Sequence, residues 1–256
     1  MVTSVHCTIE MEEFNQEVLR KAGNWFIDVV LANHKKNTEK LTDISQFQIN
    51  PMLHPYLATF IEGEVTPKSL ATALVYPRVL ATSITTSFGT NIQHFISEVL
   101  VNAYGSLASG IDIEFIDKVD QRTKYCQLKL GPNTINKGDI KEIHDQLQGV
   151  RNLARTNNHR LYEDALVIGV MYGCEDDLSQ HYKVLRDTHR YPIYVGQDFW
   201  HRLTGDAIFF QKLVATISAR VTAEVNGAAL MNDVIDKLAT SPELIKMAAD
   251  LRNPAL

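Results

Sequence analysis

The sequence predicts a mixed α/β fold, a sheet flanked by helices, and three observations predict it. Long segments towards both ends repeat apolar residues at helical spacing. Near Ile111 the apolar period drops to two, as strands require. Further on, ALVIGVMYG is an unbroken apolar run with the length of a buried strand and no polar face.

The elements follow in order. From about Glu10 to His34, Phe14, Val18, Leu19, Ala22, Phe26, Val29 and Val30 recur as one helical stripe. A loop is expected next, marked by Pro51 and Pro55 in INPMLHPY. Pro67 to Leu80 predicts a helix with Thr66 as its cap and Pro67 at the first position, where a missing N–H is harmless. Pro77 is expected to end or kink it. Gly89 to Tyr104 predicts another helix, striped by Ile92, Phe95, Ile96, Val99 and Ala103 and closed by Gly105. Ile111, Ile113 and Phe115 then alternate with Asp112, Glu114 and Ile116. Lys124 to Leu130 alternates again, with Cys126, Leu128 and Leu130 on one face and Tyr125, Gln127 and Lys129 on the other. VDQRT joins these two segments into a hairpin. A helix is expected from about Lys137 to Arg155, then the buried strand. HYKVLRD and YPIYVG read as two further strands. GQDFWHRL starts a helix, Ala207 to Ala223 is strongly periodic, and the C-terminal stretch is helical as well. No repeat or linker interrupts the pattern. One domain over 1–256 is expected, with a core at about 89–217 and helical elaborations at each end that supply surface for dimerisation.

Composition narrows the function classes. No apolar run approaches the ~20 residues of a membrane span. The N-terminus MVTSVHCTIEMEEF lacks the basic-then-apolar order of a signal peptide, so a cytoplasmic protein without a membrane partner is expected. The 3 cysteines form no CxxC pair and read as free thiols. The 9 histidines offer no HxxxH or HxH pair for zinc. GxxxxGK[ST] and GxSxG are absent, so neither a nucleotide cofactor nor an esterase elbow is expected. The formal net charge is -5. Yet Lys118, Arg122, Lys124, Lys129, Lys137, Lys141, Arg151, Arg155 and Arg160 crowd the middle of the chain against only Asp120, Asp139, Glu142 and Asp145. That asymmetry suits a local phosphate-facing surface; solvated faces without a partner are the open alternative.

The chemistry concentrates in GIDIEFIDKVDQRTKYCQLKLGPNTINKGDIKEI. Residues two apart on a strand share a face, so Asp112 and Glu114 point one way, as do Gln127 and Lys129. If the strands pair, all four converge. Carboxylate and amide oxygens suit a hard divalent cation such as Mg²⁺, which needs only one or two protein carboxylates when phosphate and water complete its shell. A cation there, with Lys129 beside it, is equipped to hydrolyse a phosphodiester. On these residues alone, a polar hairpin face that merely meets solvent stays open. GPNTINKGD follows as a cluster of hydrogen-bonding residues where the chain leaves the sheet, a good place for phosphate and base-edge contacts. Glu98, beside the apolar stripe of its helix, is a candidate further carboxylate.

GIDIEFID, followed by QLK and GPNTIN, resembles the PD-(D/E)XK nuclease superfamily and, within it, type II restriction endonucleases. SFGTNIQHFISEVL, VIGVMYG, HYKVLRD and VGQDFW are similar, in order from about Ile49 to Ile217, to segments of the group that cuts RGGNCCY-type interrupted palindromes. The resemblance implies a restriction-endonuclease-like core and a Mg²⁺-dependent homodimer acting on palindromic double-stranded DNA and leaving 5′-phosphates. It implies Asp112 as the bridging metal ligand, the Leu128 carbonyl as another, Lys129 as the group that positions the attacking water, and Glu98 as a helix carboxylate. Gln127 departs from the pattern, which normally has Asp or Glu there. An amide is neutral and cannot act as a base; Glu114, on the same face, is the candidate compensating ligand. Asn133, Thr134, Asn136 and Lys137 are the candidate DNA contacts, joined by His189 and Arg190 from RDTHRYP and by Arg151, Arg155 and Arg160. Trp25 and Trp200 read as core or interface anchors. A non-specific repair or recombination nuclease and a DNA-binding protein without catalysis are the competing functions.

Overall fold

The computed structural model describes residues 2–84, 88, 91, 94–101 and 110–252, with the backbone alone at 2–11 and 83. In chain order the helices are α1 (Val2–Trp25), α2 (Ala32–Glu39), α3 (Leu53–Glu62), α4 (Pro67–Pro77), α5 (Lys137–Thr156), α6 (Gln180–Asp187), α7 (Gln197–Thr204), α8 (Phe209–Glu224), α9 (Gly227–Leu238) and α10 (Pro242–Arg252). The strands are β1 (Ile113–Ile116), β2 (Thr123–Lys129), β3 (Leu166–Val170) and β4 (Ile193–Val195). None of the described helices is long and apolar enough to cross a membrane. The chain divides into two compact units, Met1–Trp25 with Ile92–Ala219 and Phe26–Asn91 with Arg220–Leu256.

The second unit is helical. Its core joins Leu70, Ala71, Leu74 and Val75 of α4 to Val234, Ile235 and Leu238 of α9 and Leu244 of α10. Thr66 caps α4 as its side chain expects: its Oγ1 accepts from Ser69 N–H at 3.0 Å, and Ser69 Oγ accepts from Thr66 N–H at 2.8 Å. After Pro77, which cannot donate to the carbonyl four residues back, the chain widens into a π-turn at Arg78–Ser83. The expected loop INPMLHPY instead contains the start of α3. Pro55 sits in the first turn, where N–H groups have no intrahelical partner, and Asn50 Oδ1 caps that turn by accepting from Met52 and Leu53 N–H, each at 3.0 Å.

The first unit carries the sheet, in the order β1-β2-β3-β4. β1 and β2 form the expected antiparallel hairpin, in register Ile113↔Cys126 and Phe115↔Lys124. β2 pairs parallel with β3, and β3 parallel with β4. Parallel neighbours need crossovers, and α5 and α6 supply them. Helices cover both faces. On one, Ile143, Leu147 and Val150 of α5 and Tyr182 and Leu185 of α6 pack on Leu166, Ile168 and Val170. On the other, α7 lies so close that a Cβ added to Gly169 would fall 2.6 Å from Phe199 and 2.9 Å from the Cys126 sulfur. Trp200 is fully buried and donates Nε1–H to Met171 O at 2.8 Å, a core anchor as expected. Trp25 meets Phe95 edge-on with ring centroids 4.8 Å apart.

HYKVLRD is α6, not a strand. Tyr182 and Leu185, three apart, are both buried, and a helix meets that spacing where an alternating strand cannot. Much of the helix expected over Gly89–Tyr104, and its cap Gly105, lies outside the described residues; Ile96–Val101 is a π-turn with Ile96, Val99 and Leu100 buried.

Candidate active site

One step beyond the Ile113↔Cys126 pair, Asp112 stands opposite Gln127. Directly opposed residues share a face, so Asp112, Glu114, Tyr125, Gln127 and Lys129 all lie on the side of the hairpin that α5 covers. Asp112 is half-buried. Its N–H bonds to Cys126 O at 3.0 Å, and its carboxylate Oδ2 accepts Leu128 N–H at 2.7 Å. The backbone therefore grips one carboxylate oxygen, Oδ2. Burial pushes the Asp112 pKa up; the Leu128 N–H and the Lys129 ammonium pull the other way without cancelling it. A further positive charge beside such a carboxylate favours its ionised form.

Backbone groups of one residue point to the same side of a strand. Leu128 N–H faces Asp112, so the Leu128 carbonyl lies along that edge too, past the end of β1. Gln127 is 3% exposed. Its Nε2 donates to Gly110 O at 2.8 Å and to Gln146 Oε1 on α5. Its own Oε1 is buried and has no partner among the described residues. An unsatisfied amide oxygen in a buried place costs roughly 1–3 kcal/mol unless something arrives to use it. Lys129 is half-buried, and its carbonyl accepts Met171 N–H at 3.0 Å, which ties the end of β2 to β3.

The oxygens of Asp112, Gln127 and Leu128 fit a hydrated hard cation such as Mg²⁺, whose remaining positions take water or phosphate. Among the described residues no three His, Cys, Asp or Glu side chains gather into a metal cage. Glu98 and Glu114 are thus not brought with Asp112 into a carboxylate cluster. Glu114 sits opposite Tyr125, further along the hairpin, and Glu98 is exposed on its π-turn.

The loop after β2 spends much of its polarity on itself. Thr134 Oγ1 donates to Gly131 O at 2.8 Å, and the buried Tyr182 hydroxyl donates to the same carbonyl at 3.0 Å. Asn136 is the N-cap of α5, accepting on Oδ1 from Gly138 N–H at 2.7 Å while Asp139 reaches back to its N–H. Asn133 and Lys137 are exposed. His189 and Arg190 sit in the turn before β4. Arg190 is exposed with a positive φ of 62°. The His189 ring lies 4.2 Å from that of His144, whose Nδ1 is 3.0 Å from the Tyr191 hydroxyl. Burial, then His144, pushes the His189 pKa down. On α5, Arg151 is half-buried and Arg155 exposed; Arg160 is exposed beyond it.

Two members of the expected basic patch belong elsewhere. Lys124 is fully buried on the opposite face of β2, 2.7 Å from Asp120 and 2.8 Å from Asp164. Arg122 lies 3.4 Å from Asp164 and over the Tyr162 ring. Gln146 was absent from the sequence expectations. Its signal was its position on α5 beside the apolar stripe Ile143, Leu147 and Val150.

Residues 24–224 match a protein-family model described as "Type II restriction endonuclease EcoO109I". No curated protein matches the chain.

Proposed function

This chain belongs to the type II restriction endonuclease EcoO109I family and is an endodeoxyribonuclease; from that premise we propose that Asp112, Gln127 and Lys129 form its cutting site. The reading goes further: Mg²⁺-dependent hydrolysis of palindromic sites, of the RGGNCCY type its motifs resemble, by a homodimer in the cytoplasm that leaves 5′-phosphates. The observation that carries it is the half-buried Asp112 carboxylate, pinned by Leu128 N–H, on the same face as the Lys129 ammonium and close enough to feel its charge.

Asp112 Oδ1, Gln127 Oε1 and the Leu128 carbonyl would hold Mg²⁺, which when bound polarises the phosphodiester and acidifies a water. The chain's own groups do the rest. Leu128 N–H fixes the carboxylate plane of Asp112. Lys129 Nζ–H donates to the attacking water or to the phosphoryl oxygen on which charge grows. The family pattern places a carboxylate where Gln127 stands, and a neutral amide cannot take that water's proton. Asn133 and Lys137, exposed at the mouth of the loop, and Arg190 with His189, in the turn before β4, are the proposed DNA contacts. Thr134 and Asn136 support them by holding the loop. One two-fold protein on a two-fold site would cut both strands.

Digestion of a DNA of known sequence tests this directly. With Mg²⁺, discrete fragments with ligatable 5′-phosphate ends at one repeated sequence are expected, and EDTA should abolish them. A smear would overturn site specificity. Intact but retarded DNA would mark a binder without catalysis.

A further inference from the structure

Gln127 Oε1, without a partner among the described residues, raises a question of orientation. A carboxamide can present either its oxygen or its NH₂ group, and only the oxygen can face a cation. In this chain two acceptors decide the matter. Gly110 O takes one Gln127 N–H at 2.8 Å. Gln146 Oε1 takes the other. Gln146 is an amide too, so its own orientation needs a cause, and Glu142 supplies one. One turn earlier on α5, Glu142 Oε1 accepts from Gln146 Nε2 at 3.3 Å. A carboxylate only accepts, so Gln146 must turn its NH₂ towards Glu142 and its oxygen towards Gln127. Gln127 must then turn its NH₂ towards Gly110 O and Gln146 Oε1, which leaves its Oε1 buried and without a partner among the described residues. Hydrogen bonds in such a chain polarise one another, which draws electron density onto the terminal oxygen.

We infer that Gln146, backed by Glu142, is a positioning residue that orients the Gln127 carboxamide so that its oxygen takes the ligand place a carboxylate would otherwise fill. The inference rests on the proposed cation site and adds to it residues on a helix the family motif does not include. Replacing Gln146 by leucine removes the acceptor and frees the Gln127 amide to turn. Replacing it by glutamate keeps an acceptor at that point.

Titration of the full-length protein with Mn²⁺, followed by the electron-paramagnetic-resonance signal of the free ion, reads the site without any turnover. Gln127→Leu and Gln146→Leu are each expected to weaken Mn²⁺ binding by about tenfold or more, the scale on which groups behind metal ligands act. Gln146→Glu should stay within about twofold of wild type. In cleavage assays Gln146→Leu should need about tenfold more Mg²⁺ for half-saturation and recover its kcat at saturating Mg²⁺, a rescue that a merely structural role would not produce. Unchanged Tm in both Gln146 variants separates these effects from misfolding. Weakened binding in Gln127→Leu with unchanged binding in Gln146→Leu would overturn the positioning role. Unchanged binding in Gln127→Leu, with loss in Asp112→Asn, would overturn Gln127 as a ligand and the inference with it. Unchanged binding in Asp112→Asn as well would remove the site itself.

Discussion

Two lysines five residues apart on β2 meet opposite fates. Lys124 points into the face that α7 covers and is 0% exposed. Asp120 and Asp164 close on it at 2.7 and 2.8 Å. Burial pulls its pKa down, the two carboxylates outweigh burial, and the net direction is up; the same pairing holds Asp164 down. Lys129 points to the other face, half-buried, beside a carboxylate whose pKa is raised. The first is a charge fully answered by its neighbours, which makes it architecture. The second lies on the face of a disfavoured carboxylate and an amide oxygen that has no partner among the described residues. Such imbalance persists in folded chains where a ligand relieves it.

The contrast breaks if the two lysines behave alike. Lys124→Ala leaves two partly exposed carboxylates facing an emptied buried space and should lose about 2–4 kcal/mol in urea unfolding, less than a wholly buried pair would. That loss should stay flat from about pH 5 to 9. Asp164 contributes only above the ordinary Asp value near ~3.9, and its share fades as pH falls through its lowered folded pKa. Lys124 contributes fully below about 10.4 and fades as pH rises through its raised one. Lys129→Ala should unfold like wild type within about 0.5 kcal/mol, as substitutions away from packed features do, yet lower the single-turnover cleavage rate by about 10²–10³ with duplex binding in Ca²⁺ retained. Asp112→Asn sharpens the comparison from the carboxylate side. A raised folded pKa means that Asp112 opposes folding once it ionises. Removal of that charge should therefore raise the Tm at pH 7. The gain should vanish below about pH 4, where the unfolded carboxyl is protonated as well. The same variant should not cut.

Much of this was legible in the residues. Alternation in IDIEFI and KYCQLKL placed both strands and put Asp112, Gln127 and Lys129 on one face. The 3.6-residue pattern of α5 held to its ends, and the Thr66–Pro67 start of α4 was read from its cap. Short segments misled. HYKVLRD offers Tyr182 and Val184 as an alternating pair and Tyr182 and Leu185 as a helical one, and only packing decides between them. Charge alone places Lys124 in the basic stretch from Lys118 to Arg160, although its parity with Cys126 and Leu128 assigns it to the apolar face. What allowed burial was the meeting with Asp164, forty residues away in the chain, which no local pattern reports. Gln146 stayed hidden for the same reason: its role depends on the distance between α5 and β2. Asn136 illustrates a milder limit. A polar residue in a loop before a helix suits both a base contact and an N-cap, and here Oδ1 is committed to the cap.

Where the cation sits can be mapped without DNA. Fe²⁺ in place of Mg²⁺, with ascorbate and peroxide, generates radicals that cut the polypeptide beside the ion. The account predicts two sets of fragments, ending near residues 110–114 and 126–130, both lost in Asp112→Asn. Cuts clustered elsewhere in the chain, with these two segments intact, would contradict it.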